Sequence, residues 1–379
     1  MLSPADSLTS PASLSRLSHI AQARQAVLHQ RHAPPSGAIA PWIERSWQRC
    51  MAMGLHPGHR VEFDVLTSEQ MRRTAQDNAA LVQTARPVLA TLGRAIVNTR
   101  YFAILTNAQG VVVDVSGAID RSDPRANLIT RIGVDLSESK VGTTAIGAAL
   151  GELQPVWLHR GEHFFADTSV YSCAGAPLFG PDGQCAGMLD LTGIDAVERP
   201  ELKHLVTQSA SKIENALVLA QPHALTVRLN WPGNPMGSDA DGLLCLDADG
   251  WITGANRIAR EMVSDLGGTR GRGVHASEVF GISYQTLFDA VRRSDPRLEI
   301  PLWTGLHLQA LPIARACETE PIALERRNAT PPALPLKDME CALIRQAVTD
   351  AKGNVMEAAR TLGISRATVY RKLGQKKSD

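Results

Sequence analysis

The chain has 379 residues, enough for two or three domains that each bury a core. Hydrophobic residues make up 44% and charged residues 20%, as in an ordinary globular protein, and a formal net charge of +1 excludes a global basic or acidic field. Any nucleic-acid surface must be local, and an aromatic content of 4% argues against a stacking surface for single strands.

No apolar run is long enough to span a membrane, and the first residues lack the basic and apolar regions of a secretory signal. Six cysteines (50, 173, 185, 245, 317, 341) are scattered without a CxxC pair. This argues against a zinc site and against a disulfide framework, and fits a reducing cytoplasm; no metal is expected at His163 either, which lacks a second metal-type ligand at helpful spacing.

Residues 1–37 read as a flexible N-terminal segment with a helix over 14–31, stopped at Ala33-Pro34-Pro35-Ser36-Gly37. A second helix over 38–53 carries Trp42, Ile43, Ser46, Trp47 and Cys50 at helical spacing, and Gly54 ends it. Trp42 and Trp47 suit core packing, with a dimer surface as the alternative. From Thr67 to Thr99 the spacing of Leu81, Ala85, Val88, Leu89, Leu92 and Ile96 predicts one long amphipathic helix. The period then becomes that of strands. Tyr101–Thr106 and Val111–Val115 form a hairpin, Thr143–Gly151 a helix, and Pro155–His159 a strand. Ala176–Phe179 and Cys185–Leu191 form a second hairpin, and Val197–Ala220 is a closing helix. This layout over 80–220, an antiparallel sheet covered by helices, is sensor-like, and with the helices ahead of it the sensor domain is expected over 38–222.

Asn230-Trp231-Pro232-Gly233-Asn234-Pro235 marks a boundary. A smaller α/β unit is expected over 236–315. It has a hairpin around Asp247–Gly250, helices at 256–266 and 277–293, and strands at 298–301 and 307–312. Asp247 and Asp249 suit a turn better than a site. A Pro-rich linker follows over 316–336.

The last segment, 337–379, carries the strongest signal. Asn354 caps one helix, Ala358 and Ala359 allow close helix approach, and Gly363 supplies a tight turn. Ser365 caps a third helix whose outward residues are Arg366, Thr368, Arg371 and Lys372, and whose inward residues include Val369. This is the pattern of a helix-turn-helix. From 351 to 379 there are seven Lys or Arg, Lys376 among them, and two acids. Positive charge is thus concentrated where a phosphate-facing surface is needed. Asn354, Ser365, Arg366, Thr368, Arg371, Lys372 and Lys376 are the expected DNA contacts.

The string NVMEAARTLGISRATVYRKLG resembles the helix-turn-helix of the Fis family. IERSWQRCMAMGLHP, VGTTAIGAAL and EHFFADTSVYSCAGAPLFGPDGQCAGMLDLTG resemble the GAF-type sensor of acetoin-catabolism (AcoR-type) regulators, which are related to sigma-54 activators. GLLCLDADGWITGANRIAREMV resembles the PAS-like segment that follows it in those proteins. The resemblance covers about residues 38–315 and 337–379. It implies an α+β multidomain chain, with a GAF-like sensor, a PAS-like unit and an all-α C-terminal helix-turn-helix.

Those activators carry an ATPase domain between sensor and helix-turn-helix, where this sequence has only 316–336. No GxxxxGK[ST] loop is present. Gly267-Gly268-Thr269-Arg270-Gly271-Arg272-Gly273 lacks the Lys-Ser/Thr pair, and the GAFTGA loop is absent. The expectation is regulation by ligand-controlled DNA binding without ATP-driven remodelling and without enzyme activity. The partners are operator DNA, a small-molecule effector, a second copy of the chain in a homodimer, and RNA polymerase, with no cofactor and no membrane. Expected liners of the effector pocket are Thr143, Thr144, Trp157, His163, Phe164, Tyr171, Cys173 and Asp190. Thr143 and Thr144 suit a simple helix cap equally well, and a lone His163 is more often structural. The rival class is a sensor enzyme, or a redox switch pairing Cys173 with Cys185, that carries a DNA-binding tail. A Fis-like nucleoid-structuring role is opposed by the large sensor.

Overall fold

Proline at the first position of a helix gives up no hydrogen bond, and α2 (Pro41–Ala52) begins this way, following α1 (Pro11–Arg24). The computed structural model describes residues 11–267 and 273–314, and beyond these 348, 351, 354–356, 359, 366, 368 and 369. Helix α1 runs on into a wider turn over Gln25–His29. Ala23, Val27, Ile43, Trp47 and Cys50 from this region pack with Phe164 and Phe165 into one buried cluster. Trp47 is fully buried, so the core reading of it holds.

The flexible segment expected over 1–37 is therefore corrected for its described part. The guanidinium of Arg24 donates to the carbonyls of Gly161 (2.8 Å), Phe164 (2.9 Å) and His163. It also lies 5.7 Å from the centre of the Trp47 ring, whose Nε1 donates to Glu162 O at 2.9 Å. Charged donors on buried carbonyls are among the stronger hydrogen bonds, so this segment is fixed rather than frayed.

The long helix expected over 67–99 is two helices, α3 (Ser68–Asp77) and α4 (Ala79–Ala95). Thr67 and Gln70 form a reciprocal capping box at the start of α3. Asn78 ends it: its backbone leaves helical geometry and its side-chain amide donates to Thr74 O at 2.8 Å.

The first sheet has strands β1 (Tyr101–Asn107), β2 (Val112–Gly117), β3 (Val156–His159), β4 (Tyr171–Phe179) and β5 (Cys185–Ile194) in the order β2-β1-β5-β4-β3. All its pairings are antiparallel. Successive side chains alternate between faces. Tyr101, Ala103, Leu105, Trp157, Ala174, Leu189 and Leu191 face α4 and helix α8 (Leu202–Leu219). Phe102, Ile104, Tyr171, Cys173 and Met188 face the short helices α5 (Pro124–Ile129), α6 (Glu138–Val141) and α7 (Ala145–Glu152). The sheet is thus covered on both sides.

The second sheet has β6 (Leu225–Asn230), β7 (Gly242–Leu246), β8 (Ile252–Ala255), β9 (Leu298–Pro301) and β10 (His307–Ala314) in the order β8-β7-β6-β10-β9. Its central strand, β6, lies ahead of the boundary expected at 236. The prolines of 232 and 235 form a loop inside this unit, not a link before it. Helix α9 (Arg257–Met262) follows β8, and the helix expected over 277–293 is α10 (Ala276–Val279) and α11 (Tyr284–Ala290). The two sheets belong to one compact unit, Met1–Arg315. Ala255 N–H and the Arg260 guanidinium donate to Pro181 O, and Asn256 Nδ2 donates to Asn215 Oδ1 at 2.7 Å.

A second unit is Ala316–Asp379. The linker expected over 316–336 lies outside the described residues. Among the described ones, Val355, Met356, Ala359, Arg366, Thr368 and Val369 are helical. Ala359 and Val369 are buried against Val348 and Val355. Asn354 Oδ1 accepts the Met356 N–H at 3.1 Å, the cap expected there.

Replacing Arg24 by Met keeps the apolar stem and removes the donors to three carbonyls. The Arg24→Met variant is expected to lose on the order of 3 kcal/mol of unfolding free energy, read by urea titration with tryptophan fluorescence. A loss below about 0.5 kcal/mol would contradict the role given to Arg24.

Candidate functional site

Between the first sheet and α5–α7 lies a cavity of about 30 Å³. Its walls are apolar side chains, among them Phe63, Ile104, Ile129 and Ile146, with Thr144, His163, Thr168, Tyr171, Cys173, Asp190 and Thr192 as the polar and sulfur-bearing groups. Five of the eight residues expected from the sequence are thus brought together: Thr144, His163, Tyr171, Cys173 and Asp190.

The other three are not. Thr143 is fully buried and turned toward α2, where its hydroxyl lies 2.7 Å from Ser46 Oγ and 3.5 Å from Cys50 Sγ. Phe164 packs in the cluster of α1 and α2. Trp157 sits on the opposite face of the sheet, because strand alternation sends Val156 and Leu158 inward toward the cavity side. Thr144 both lines the cavity and caps α7, accepting the Gly147 N–H at 3.2 Å. Gly142 precedes this pair at φ 65°, and a Cβ there would meet Phe164 and Phe165 at 2.9 Å.

Asp190 is completely buried. Thr192 donates its hydroxyl to Oδ2, while Oδ1 has no protein partner. Burial pushes the carboxyl up to about 7, against the smaller opposing effect of the Thr192 hydrogen bond. The neighbouring Cys173 thiol, 3.3 Å from Thr192 Oγ1, is also pushed up by burial. Such a thiol is a poor nucleophile. Tyr171 donates its hydroxyl to Arg125 O at 3.2 Å.

His163 is also fully buried. Its Nδ1 lies 2.9 Å from Arg160 O, a carbonyl that can only accept, so Nδ1 carries the proton. Nε2 is then a bare acceptor, and it has no protein partner. Burial lowers the imidazole to about 4, so it is neutral near pH 7.

Cys185 stands opposite Phe179, and Cys173 opposite Thr192. Six residues of strand separate them, about 20 Å, which rules out a disulfide between them in this fold. Asp247 accepts the N–H groups of Asp249 and Trp251, and Gly250 has φ 88°, so this pair of acids is a turn. Sequence reasoning missed Phe63, Thr168 and Thr192. Thr192 was available from the two-residue period that puts it on the same face as Asp190. Phe63 reaches the cavity from an extended stretch whose isolated bridge, Val65 to Val134, has no sequence signature.

Of the expected DNA contacts, Asn354 and Arg366 are exposed and Thr368 is half-buried. Ser365, Arg371, Lys372 and Lys376 lie outside the described residues. Among the described residues no helix is long and apolar enough to cross a membrane.

A two-sided sheet with a buried polar cavity, joined in one chain to helices with a capped basic segment, has the parts of a sensory DNA-binding protein. Residues 18–215 match the family of the MimR N-terminal domain, and residues 335–375 match the bacterial regulatory proteins of the Fis family. The chain belongs to the MimR N-terminal-domain family and carries a Fis-family helix-turn-helix. The acetoin catabolism regulatory protein of Cupriavidus necator is 31% identical over 311 residues, which cover 77% of this chain and 46% of that protein. The acetoin dehydrogenase operon transcriptional activator AcoR of Bacillus subtilis is 30% identical over 176 residues, 46% of this chain and 29% of its own length. The propane 2-monooxygenase operon transcriptional activator MimR of Mycolicibacterium goodii is 31% identical over 183 residues, 48% of this chain and 30% of its own. The chain thus spans less than half the length of these curated relatives. They are named regulators and activators, as the sequence motifs implied.

The pH response of stability follows from the lowered His163. An unfolded chain binds a proton at about 6.5 and the folded one at about 4, so stability falls as pH drops through that window. His163→Gln is expected to remove on the order of 3 kcal/mol of this loss, measured as unfolding free energy at pH 7 and pH 4. An unchanged pH slope would show that His163 protonates freely in the folded protein.

Proposed function

We propose that this chain is a ligand-responsive, sequence-specific transcription regulator in which a GAF-type sensor controls a Fis-type helix-turn-helix. The observation that carries the reading is the Fis-family match over 335–375 on a chain that also holds a buried cavity with two unpartnered polar groups. In this reading residues 38–222 with the N-terminal helices are the sensor, the second sheet is the PAS-like unit, and 337–379 bind operator DNA. The effector is a small molecule held in the cavity, and RNA polymerase is the partner through which transcription responds.

Coupling is reciprocal. If effector binding changes operator affinity by some factor, operator binding changes effector affinity by the same factor. No step requires ATP, because the sequence has no phosphate-binding loop between sensor and helix-turn-helix. Addition of ATP to the purified chain should leave operator affinity unchanged and release no phosphate above background. Turnover of ATP by highly pure protein would overturn this mechanism.

One recognition helix covers only a few base pairs, so a homodimer is expected, with half-sites one helical turn or a multiple apart. Arg366 stands at the start of the recognition helix, the end that reaches base edges, with Thr368 beside it. In this reading Arg371, Lys372 and Lys376 take phosphates, and Asn354 and Ser365 serve capping and backbone contact. Arg366→Ala should cost about 1–3 kcal/mol on operator DNA and far less on scrambled DNA. Lys372→Ala should weaken both equally and lower the salt slope by roughly one per subunit. Titrations at several salt concentrations separate the two. Equal loss on both DNAs for Arg366→Ala removes its base-reading role, and no loss for either variant removes the DNA-binding reading.

A further inference from the structure

Three large apolar side chains at one end of the second sheet stand in solvent. Trp303, Leu306 and Trp231 are 68%, 53% and 38% exposed. Large apolar groups gathered at one place on a surface mark an interaction site. We propose that this patch is where two copies of the chain meet in solution, across a two-fold axis. The proposal rests on the homodimer of the functional reading and adds where the copies touch.

Sheet register brings the three residues together. Strand β10 pairs with β9 as far as His307 and Pro301, and with β6 as far as Gln309 and Asn230. Trp231 is the next residue of the chain after β6. The turn Leu302–Leu306 between β9 and β10 lies at the same end of the sheet. With neighbouring strands about 4.8 Å apart and residues about 3.3 Å apart along each, the backbones of Trp231 and Leu306 lie within about 10 Å.

Both segments are fixed. Leu302 N–H donates to Leu306 O at 2.8 Å and Gly305 N–H to Leu302 O at 2.9 Å, closing the turn. The loop after β6 is pinned from inside by the buried side chains of Asn230 and Asp241. Asn230 Oδ1 accepts the Trp231 N–H at 2.8 Å, and its Nδ2 donates to Pro235 O at 3.3 Å and Asp241 Oδ1 at 3.1 Å. Asp241 Oδ2 accepts from Gly237 N–H at 2.7 Å and from the Arg228 guanidinium at 3.2 Å. An indole presented on a fixed backbone loses little freedom on docking.

Charge and area select the occupant. Neither 231–236 (Trp-Pro-Gly-Asn-Pro-Met) nor 301–306 (Pro-Leu-Trp-Thr-Gly-Leu) contains a charged residue. The patch has nothing to steer DNA or a charged protein surface, while a second copy meets it without like-charge repulsion. Indole and proline rings stand on the same patch, so a two-fold axis can set Trp303 of each copy against Trp231 and Pro232 of the other. The three exposed side chains and the neighbouring prolines offer about 500 Å² per copy, which doubled reaches the roughly 1,000 Å² a specific interface needs. His307 and Glu299, 2.9 Å apart, flank it as a polar rim.

The test is sedimentation equilibrium of the full chain without DNA. A monomer–dimer equilibrium is expected that does not weaken as salt rises from about 0.05 to about 0.5 M, because an uncharged contact is not screened. Trp303→Glu should raise the dissociation constant at least about tenfold, and Leu306→Ser about threefold or more, while both variants melt as the wild type does. Val97→Glu, at a residue 52% exposed elsewhere in the chain, should leave it unchanged. A wild-type chain that stays monomeric overturns the proposal. So does a dimer unmoved by Trp303→Glu and Leu306→Ser, one that salt dissociates, an equal loss from Val97→Glu, or assemblies that keep growing with concentration. Operator binding is measured on the same samples. A chain that binds operator but fails the sedimentation test keeps the regulator reading and loses this interface. A chain that dimerises through the patch but binds no DNA does the reverse.

Discussion

A sheet covered on both faces leaves no place for a charge. Every residue of β1 is buried, and so are all but one of β4. Helices α4 and α8 close one side and α5–α7 the other. Asp190 nevertheless sits fully buried on β5, beside β1, with one oxygen satisfied and one not. Burying a polar group without its hydrogen bond costs free energy, and two such groups, Asp190 and His163, belong to the lining of one cavity.

The N-terminal helices are part of this arrangement and not an appendage. Arg24 grips the carbonyls of the loop that carries His163, and Trp47 donates to the same loop. Ser46 reaches the Thr143 hydroxyl, one residue from the Thr144 cap. The two loops are joined directly, since Phe164 N–H donates to Thr143 O at 3.2 Å. Any displacement of His163 or of the α7 start is therefore felt by α1 and α2. On the other side, the turn after β4 gives Pro181 O to Ala255 and Arg260 of the second sheet unit. Both walls of the cavity and the far end of its sheet are tied to neighbouring elements by hydrogen bonds.

Much of this was legible in the sequence where period and punctuation act locally. The hairpins at 101–115 and 242–253, the helix starting after Thr144 and the Asn354 cap follow from alternation, turn residues and caps. The parts that failed depend on distant contacts. Leu225–Asn230 has a strand's alternation, but its place at the centre of the second sheet comes from pairing with β10, some eighty residues on. The segment over 1–37 read as flexible because nothing local reveals that Arg24 meets carbonyls at 161–164. Trp157 and Phe164 were plausible pocket residues by type. Strand parity turned one to the far face, and packing against α2 took the other. His163 and Asp190 were found by residue type, but the unpartnered atom that each holds beside the cavity exists only in three dimensions.

In the proposed mechanism, cavity and DNA-binding element belong to one energetically linked system. Hydrogen exchange measures this without knowing the effector. Operator DNA selected from a random pool by the full chain is added at saturation, and amide protection is followed over residues 143–147 and 160–165. The account predicts that DNA binding changes protection in those two loops, because coupling must run in both directions. Protection that changes only at 337–379, with both cavity loops exchanging as in the free protein, would contradict it.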